Sequence, residues 1–232
     1  MNLLALETST NACSVALLFH GSIVERHVVQ AKEHTRLLIP MLGEVLQAGK
    51  ASLADLDAIV LGNGPGSFIG MRIAASVAQG LAYGCCLNIV PVSSLAAVAA
   101  EAFQDTAVEH VAVAQDAHMN EVYLARFRRG EGGLPVADGE TVLQPVGRIG
   151  SPEEFAPVRV HAAGAGWQRY PELLRVNADL LAGVVDVPLP RASFLLRSGV
   201  AALREGAATE PAQLLPDYVR SRVASIPGTG RS

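Results

Sequence analysis

The segment Asn63-Gly64-Pro65-Gly66-Ser67-Phe68-Ile69-Gly70-Met71-Arg72 joins a short apolar run to a long alanine-rich one. Glycines at such a junction have two uses. They can offer backbone amides to a phosphate at a helix N-terminus, or let strand and helix approach more closely than a Cβ allows. Phosphoryl chemistry would also need a carboxylate to hold magnesium or orient a nucleophile. Glu7 and Asp116 qualify, each closing an apolar run and followed by a polar turn. With Thr8, Ser9, Gly64, Pro65, Gly66 and Ser67 they outline a candidate nucleotide cleft. Neither Lys32 nor Lys50 lies in a Gly-Lys-Ser/Thr context, so the segment is no P-loop, and close packing is the favoured use of its glycines.

Other chemistries find less support. The six histidines form neither HxxxH nor HExxH; His20, His27 and His34 fall in separate elements. No GxSxG elbow surrounds Ser67, and Cys13 has no histidine beside it in sequence, so nucleophilic catalysis is weakly supported. Cys13, Cys85 and Cys86 cannot build a disulfide framework and read as small, buried apolar residues.

The elements that must position these groups follow from periodicity. "NLLALETST" reads as a strand ending in Glu7, and "ACSVALLFHGSIVERHVVQ" as two strands meeting at His20-Gly21-Ser22. From His34 to Gly49 the period becomes helical, with an expected kink at Pro40. "LDAIVLGNG" is a buried strand, Ile69 to Tyr83 a helix, "LNIVPV" a strand, and Ser93 to Ala102 a helix that Ser93 or Ser94 can cap. The second half opens the same way, with a strand ending in Asp116, a polar turn, and a strand reaching Gly130. "PVRVHAAGAGWQRYPELL" adds a strand, a glycine turn and a helix, and "SFLLRSGVAALREG" a last helix. The order implies a structural duplication.

At 232 residues, two modest domains are expected: 1–105, 106–222, and a disordered tail over 223–232. Half the residues are hydrophobic, and surplus apolar surface points to a protein partner. No uninterrupted apolar run approaches the roughly 20 residues of a membrane span, and no basic stretch precedes the first apolar one, so a cytoplasmic chain is expected. The net charge of −4, with Arg126, Arg128 and Arg129 as the longest basic cluster, makes it a poor RNA binder alone.

Two halves opening with strand, acidic turn and strand resemble the actin, Hsp70 and sugar-kinase architecture, a duplicated α/β fold with mixed sheets and flanking helices. "LALETSTNACSVAL", "EHTRLLIPM", "GNGPGSFIGMRIAASVAQGLA", "DAHMNEVY", "GAGW" and "PDYVR" follow the order and spacing of the bacterial TsaB (YeaZ-type) family over nearly the whole chain. Ile69 replaces the family's usual threonine and His118 a common arginine. The resemblance implies a non-catalytic subunit in formation of threonylcarbamoyladenosine at position 37 of tRNAs reading codons that start with A. Its partners would be a metal-dependent catalytic paralogue (TsaD-type) and a small ATPase (TsaE-type), with a homodimer when alone and tRNA met only through the complex. It also implies that two helices form the partner interface, through His34, Leu37, Leu38, Met41, Leu42 and Val45 on the first and Met71, Arg72, Ala75, Gln79 and Tyr83 on the second. No cofactor is expected on the isolated chain, and ATP or ADP only in the assembled complex. A stand-alone ATP-dependent enzyme such as a small-metabolite kinase is the alternative, and a peptidase a weaker one.

In the catalytic paralogue an HxxxH pair ligates metal from the helix after the "PV" strand; here Ser94 and Val98 stand at those positions. Elemental analysis of the purified chain is therefore expected to find no stoichiometric iron or zinc; one metal per chain would contradict the non-catalytic reading.

Overall fold

The computed structural model describes residues 1–30, 33–151, 158–215 and 219. The tail expected from residue 223, Lys32 and most of "PDYVR" lie outside the described residues. The chain opens with the expected meander of β1 (Leu3–Glu7), β2 (Ala12–Phe19) and β3 (Ser22–Val29). His20 and Gly21, both at positive φ, make the tight turn between β2 and β3, the backbone twist that two-residue hairpins prefer. Helix α1 (His34–Gly49) runs through Pro40 as one continuous element. Then come β4 (Ala58–Gly62), α2 (Phe68–Cys85), β5 (Asn88–Val92) and α3 (Ser94–Ala102). Ser67 caps α2 by accepting the Gly70 N–H, and Ser93 caps α3 by accepting that of Ala96.

The second half runs β6 (His110–Asp116), β7 (Glu121–Arg129), β8 (Pro135–Ala137), β9 (Val142–Pro145) and β10 (Val160–Ala163). Two short helices follow, α4 (Ala165–Arg169) and α5 (Pro171–Val176), then β11 (Leu181–Val184) and α6 (Ala192–Arg204). The single helix expected after "GAGW" is thus two, broken at Tyr170, where Pro171 starts a new helix. Strands β8, β9 and β11 escape a periodicity reading because three or four residues are too few to display a period.

The sheets repeat one topology. The first is ordered β3-β2-β1-β4-β5, the second β11-β10-β6-β7-β8 with β9 also on β7. In each, a three-strand antiparallel meander continues into two parallel strands, with β1, β2, β3, β4 and β5 corresponding to β6, β7, β8, β10 and β11. The duplication inferred from sequence is thus present in the sheet order.

The halves interlock. Helix α3 packs Leu95, Val98 and Ala99 against Val111, Val113 and Ala125 of the second sheet. Helix α6 crosses the other way, setting Leu195 and Leu196 against Leu3, Ala5, Val60 and Val90 of the first. Helices α1 and α2 cover the first sheet's opposite face, and α4 and α5 that of the second. Gly199 allows the approach of α6, since a Cβ there would lie 2.5 Å from Val60 Cγ2. Gly199→Leu is expected to destabilise by about 1–3 kcal/mol through overpacking, read as a fall in thermal midpoint of roughly 2–4 °C per kcal/mol.

Candidate functional site

The glycine segment and the first acidic turn form one tightly packed unit. The Thr8 hydroxyl donates to the Gly70 carbonyl at 2.7 Å, and the Ser67 N–H donates to the Ser9 carbonyl at 2.6 Å. A Cβ on Gly66 would sit 2.2 Å from the Ser9 oxygen, and one on Gly70 2.0 Å from the Thr8 oxygen. Both obstructions are backbone atoms that cannot swing aside. Pro65 has no N–H, and the Gly64 N–H goes to Ser94 Oγ at 3.1 Å. The loop amides of Gly64 and Ser67 are therefore engaged within the chain, as close packing requires, and are not presented to an anion.

Glu7 is sealed beneath this unit. It has no solvent exposure, like Thr8, while Ser9 is 2% exposed. Its Oε1 accepts the Ser9 N–H, and Oε2 lies against Gly62, where a Cβ would be 2.0 Å from it and 3.2 Å from Ser94 Oγ. Burial pushes the Glu7 carboxyl above its ordinary value, against the opposing pull of hydrogen bonds from Ser94 and Ser9. A group so enclosed cannot reach magnesium without local opening.

Asp116 holds the matching place in the second half. Its Oδ1 accepts the His118 N–H at 2.8 Å, as Glu7 accepts the N–H two residues on. It also accepts the Tyr170 hydroxyl at 2.8 Å, and burial together with this carboxylate raises the tyrosine's pKa. Asp116 is half-buried, and the turn beyond it, His118, Met119 and Asn120, is left-handed throughout. Here too a glycine turn presses on the strand end: a Cβ on Gly164 would lie 2.3 Å from the Ala114 carbonyl. The residues proposed for a cleft thus fall into separate groups, with Glu7, Thr8, Ser9 and Gly64 to Ser67 in one and Asp116 with Tyr170 and His118 in the other. Ser94 and Val98 are buried at the inner side of α3. Among the described residues no three metal-ligating side chains converge.

Much of the expected partner face on the two helices is turned inward in the single chain. His34, Leu38, Met41, Leu42 and Val45 of α1, and Met71 and Ala75 of α2, are buried in the chain itself. His34 is held by the Ala12 carbonyl at 3.1 Å. The positions spaced 34, 38, 41, 42 and 45 form one stripe, and the sheet takes the whole of it. Leu37 is partly buried against the same core; Gln79 donates to the Pro211 carbonyl at 2.8 Å. Of the expected face, Arg72 and Tyr83 are exposed. The outward apolar residues are instead Ile39, 53% exposed, and Ile69, 71% exposed. They border a groove of about 400 Å³ between α1 and α2, also lined by Thr35, Phe68, Ile73 and Val77. Arg72 stacks on Phe68, its guanidinium carbon 3.6 Å from the ring centre. A clue lay in the sequence: Ile39 and Ile69 fall off the stripe that the sheet requires.

The cysteines differ from expectation as well, since Cys13 is buried but Cys85 is half-buried and Cys86 exposed. Cys86 occupies the left-handed position that ends α2. Of the basic cluster, Arg129 is committed to the backbone, donating to the carbonyls of Phe103, Asp105 and Val108. No helix among the described residues is long and apolar enough to cross a membrane.

A twice-repeated meander plus parallel pair, each with an acidic turn pressed by a glycine turn, and crossed helices between the sheets, define a protein of the actin, Hsp70 and sugar-kinase class. Residues 27–227 match the family model for TsaD, tRNA N6-adenosine threonylcarbamoyltransferase. The chain is 35% identical to the tRNA threonylcarbamoyladenosine biosynthesis protein TsaB of Escherichia coli, over 98% of this chain and 99% of that one. It is 34% identical to the protein of the same name from Haemophilus influenzae, over 98% of each. A solved structure described as YeaZ from Pseudomonas aeruginosa superposes with a TM-score of 0.83 at 34% identity, covering 94% of this chain and 99% of that one. The chain belongs to the TsaB (YeaZ-type) family.

The Glu7 geometry has a measurable consequence. Its raised pKa means that the folded chain keeps this proton to higher pH than the unfolded chain. Folding takes up the proton, so the stability associated with Glu7 falls as pH rises from the unfolded carboxyl value through the folded one. Glu7→Gln is expected to raise the thermal midpoint at pH 8, with the gain shrinking toward pH 4. A gain equal at both pH values would show that Glu7 is not the titrating group.

Proposed function

We propose that this chain is a non-catalytic subunit in tRNA threonylcarbamoyladenosine biosynthesis, acting in the cytoplasm as the binding partner of a TsaD-type catalytic paralogue and together with a TsaE-type ATPase. The observation that carries the reading is the groove between α1 and α2, with Ile39 and Ile69 left in solvent at its rim. Apolar side chains held open on two adjacent helices gain free energy when a partner's helices cover them, at about 25 cal/mol per Å². The sealed Glu7 and the engaged amides of Gly64 and Ser67 favour a supporting role over catalysis, because in the first half the candidate carboxylate and these loop amides are taken up in packing. On this reading the chain self-associates through the same groove when alone, tRNA is met through the complex, and any ATP or ADP sits at the assembled junction.

The test is capture of the purified paralogue by variants of the groove. Ile39→Asp and Ile69→Asp are expected to keep the wild-type far-UV spectrum and to lose roughly tenfold to a hundredfold in affinity each, as removal of about 1.5–3 kcal/mol of buried apolar contact requires. Ala75→Asp places an unpaired charge in the chain's own core, costing several kcal/mol, and is expected to impair folding. Wild-type capture by both isoleucine variants would place the interface elsewhere.

A further inference from the structure

The two halves meet at a charged cluster that the proposed function does not use. Arg191 stands just before α6, where the chain returns from the second half to the first sheet. Its Nε and Nη2 donate to Glu25 Oε2 on β3, at 3.1 and 2.5 Å. Glu25 Oε1 in turn accepts the Ser14 hydroxyl at 3.2 Å and the Ser193 N–H at 3.0 Å, and Ser14 Oγ accepts the Ala192 N–H at 2.9 Å. The first sheet thus supplies the N-terminal cap of α6, from residues far away in sequence. On its other side Arg191 Nη1 lies 3.9 Å from Glu101 Oε1 near the end of α3, the helix that packs on the second sheet.

The two sides are unequal. Glu25 is satisfied on both oxygens, and its interactions with Ser193 and Arg191 hold its pKa low despite burial. Glu101 reaches Arg191 only at the longer distance, and its Oε2 is buried without a hydrogen-bond partner. The charged groups acting on Glu101 are Arg191 and Glu25; burial outweighs the attraction of Arg191, and its pKa is raised. His27, next but one to Glu25 on β3, faces Arg191 with a buried, unpartnered Nδ1 and a lowered pKa. Arg197, further along α6, is taken by the Gly132 carbonyl.

We propose that Glu25, Arg191 and Glu101 form a latch between the halves, fixed on the β3 side and released on the α3 side when Glu101 is ionised. Two carboxylates share one guanidinium, and the second is fully compensated only when protonated or when the halves part enough to hydrate it. Protonation favours the closed form, so the latch loosens as pH rises through the range of the raised carboxyl.

Hydrogen exchange by mass spectrometry on the full chain, expressed as protection factors, tests this. At pH 4, toward which the latch closes, Arg191→Met is expected to lower protection by about tenfold or more in both α3 and α6, the elements between the sheets, while α1 and α2 stay unchanged. Loss confined to residues 192–194 would reduce the cluster to a helix cap, and loss across the whole chain would reduce it to general stability; either overturns the latch. Glu101→Gln, which removes the charge and keeps the shape, is expected to raise protection of α3 and α6 at pH 8, with the gain shrinking toward pH 4. An equal effect at both pH values, or none at pH 8, would overturn release by ionisation.

Discussion

The structure depends on a backbone contact that excludes side chains. The Thr8 and Ser9 carbonyls come so close to Gly70 and Gly66 that no Cβ fits between them. That approach draws the start of α2 onto the end of β1, and it directs the loop's amides to Ser9 and Ser94. Glu7 is enclosed as a result, with Gly62 leaving the space its carboxylate occupies. A glycine segment of this composition can bind an anion only if its amides point outward, and here tight packing and anion binding compete for the same donors.

The fold repeats this arrangement with a different outcome. Asp116 captures an N–H two residues on as Glu7 does, and Gly164 presses on Ala114 as Gly66 presses on Ser9. Yet Asp116 remains half-buried, held by Tyr170. One half has closed its acidic turn under α3 and the glycine loop, while the other keeps its turn at the surface, with His118 and Met119 projecting. One duplicated scaffold thus places one acidic turn in the interior and the other at the surface.

The groove and the isoleucines at its rim lie on the outer helices. Helices α1 and α2 each give a full apolar stripe to the first sheet and still leave isoleucines in solvent. Their contact with one another is slight enough to leave a groove between them. The inner helices α3 and α6 are different, buried between the sheets and joined to opposite halves, with their polar groups gathered around Arg191. On the proposed reading, association and inter-half geometry belong to separate helix pairs.

Much of this was legible in the chain itself. The opening meander, the His20-Gly21 turn, the Ser67 and Ser93 ends of helices, the repeated acidic turn and the family motifs all rest on residues near one another in sequence, where period and turn chemistry act. The helical period of α1 identifies the helix, but not which sector of it the sheet takes. Whether Leu42, Ala75 or Ile39 faces outward is decided only by the docked sheet, which fixes each helix's rotation. Short strands such as β8 and β11 carry too few residues to show a period and exist through their neighbours' hydrogen bonds. The burial of Glu7 and the pairing of Glu25 with Arg191, 166 residues apart, belong wholly to the tertiary structure: the pKa of a carboxylate follows from what surrounds it in space, and in both cases those neighbours come from distant parts of the chain.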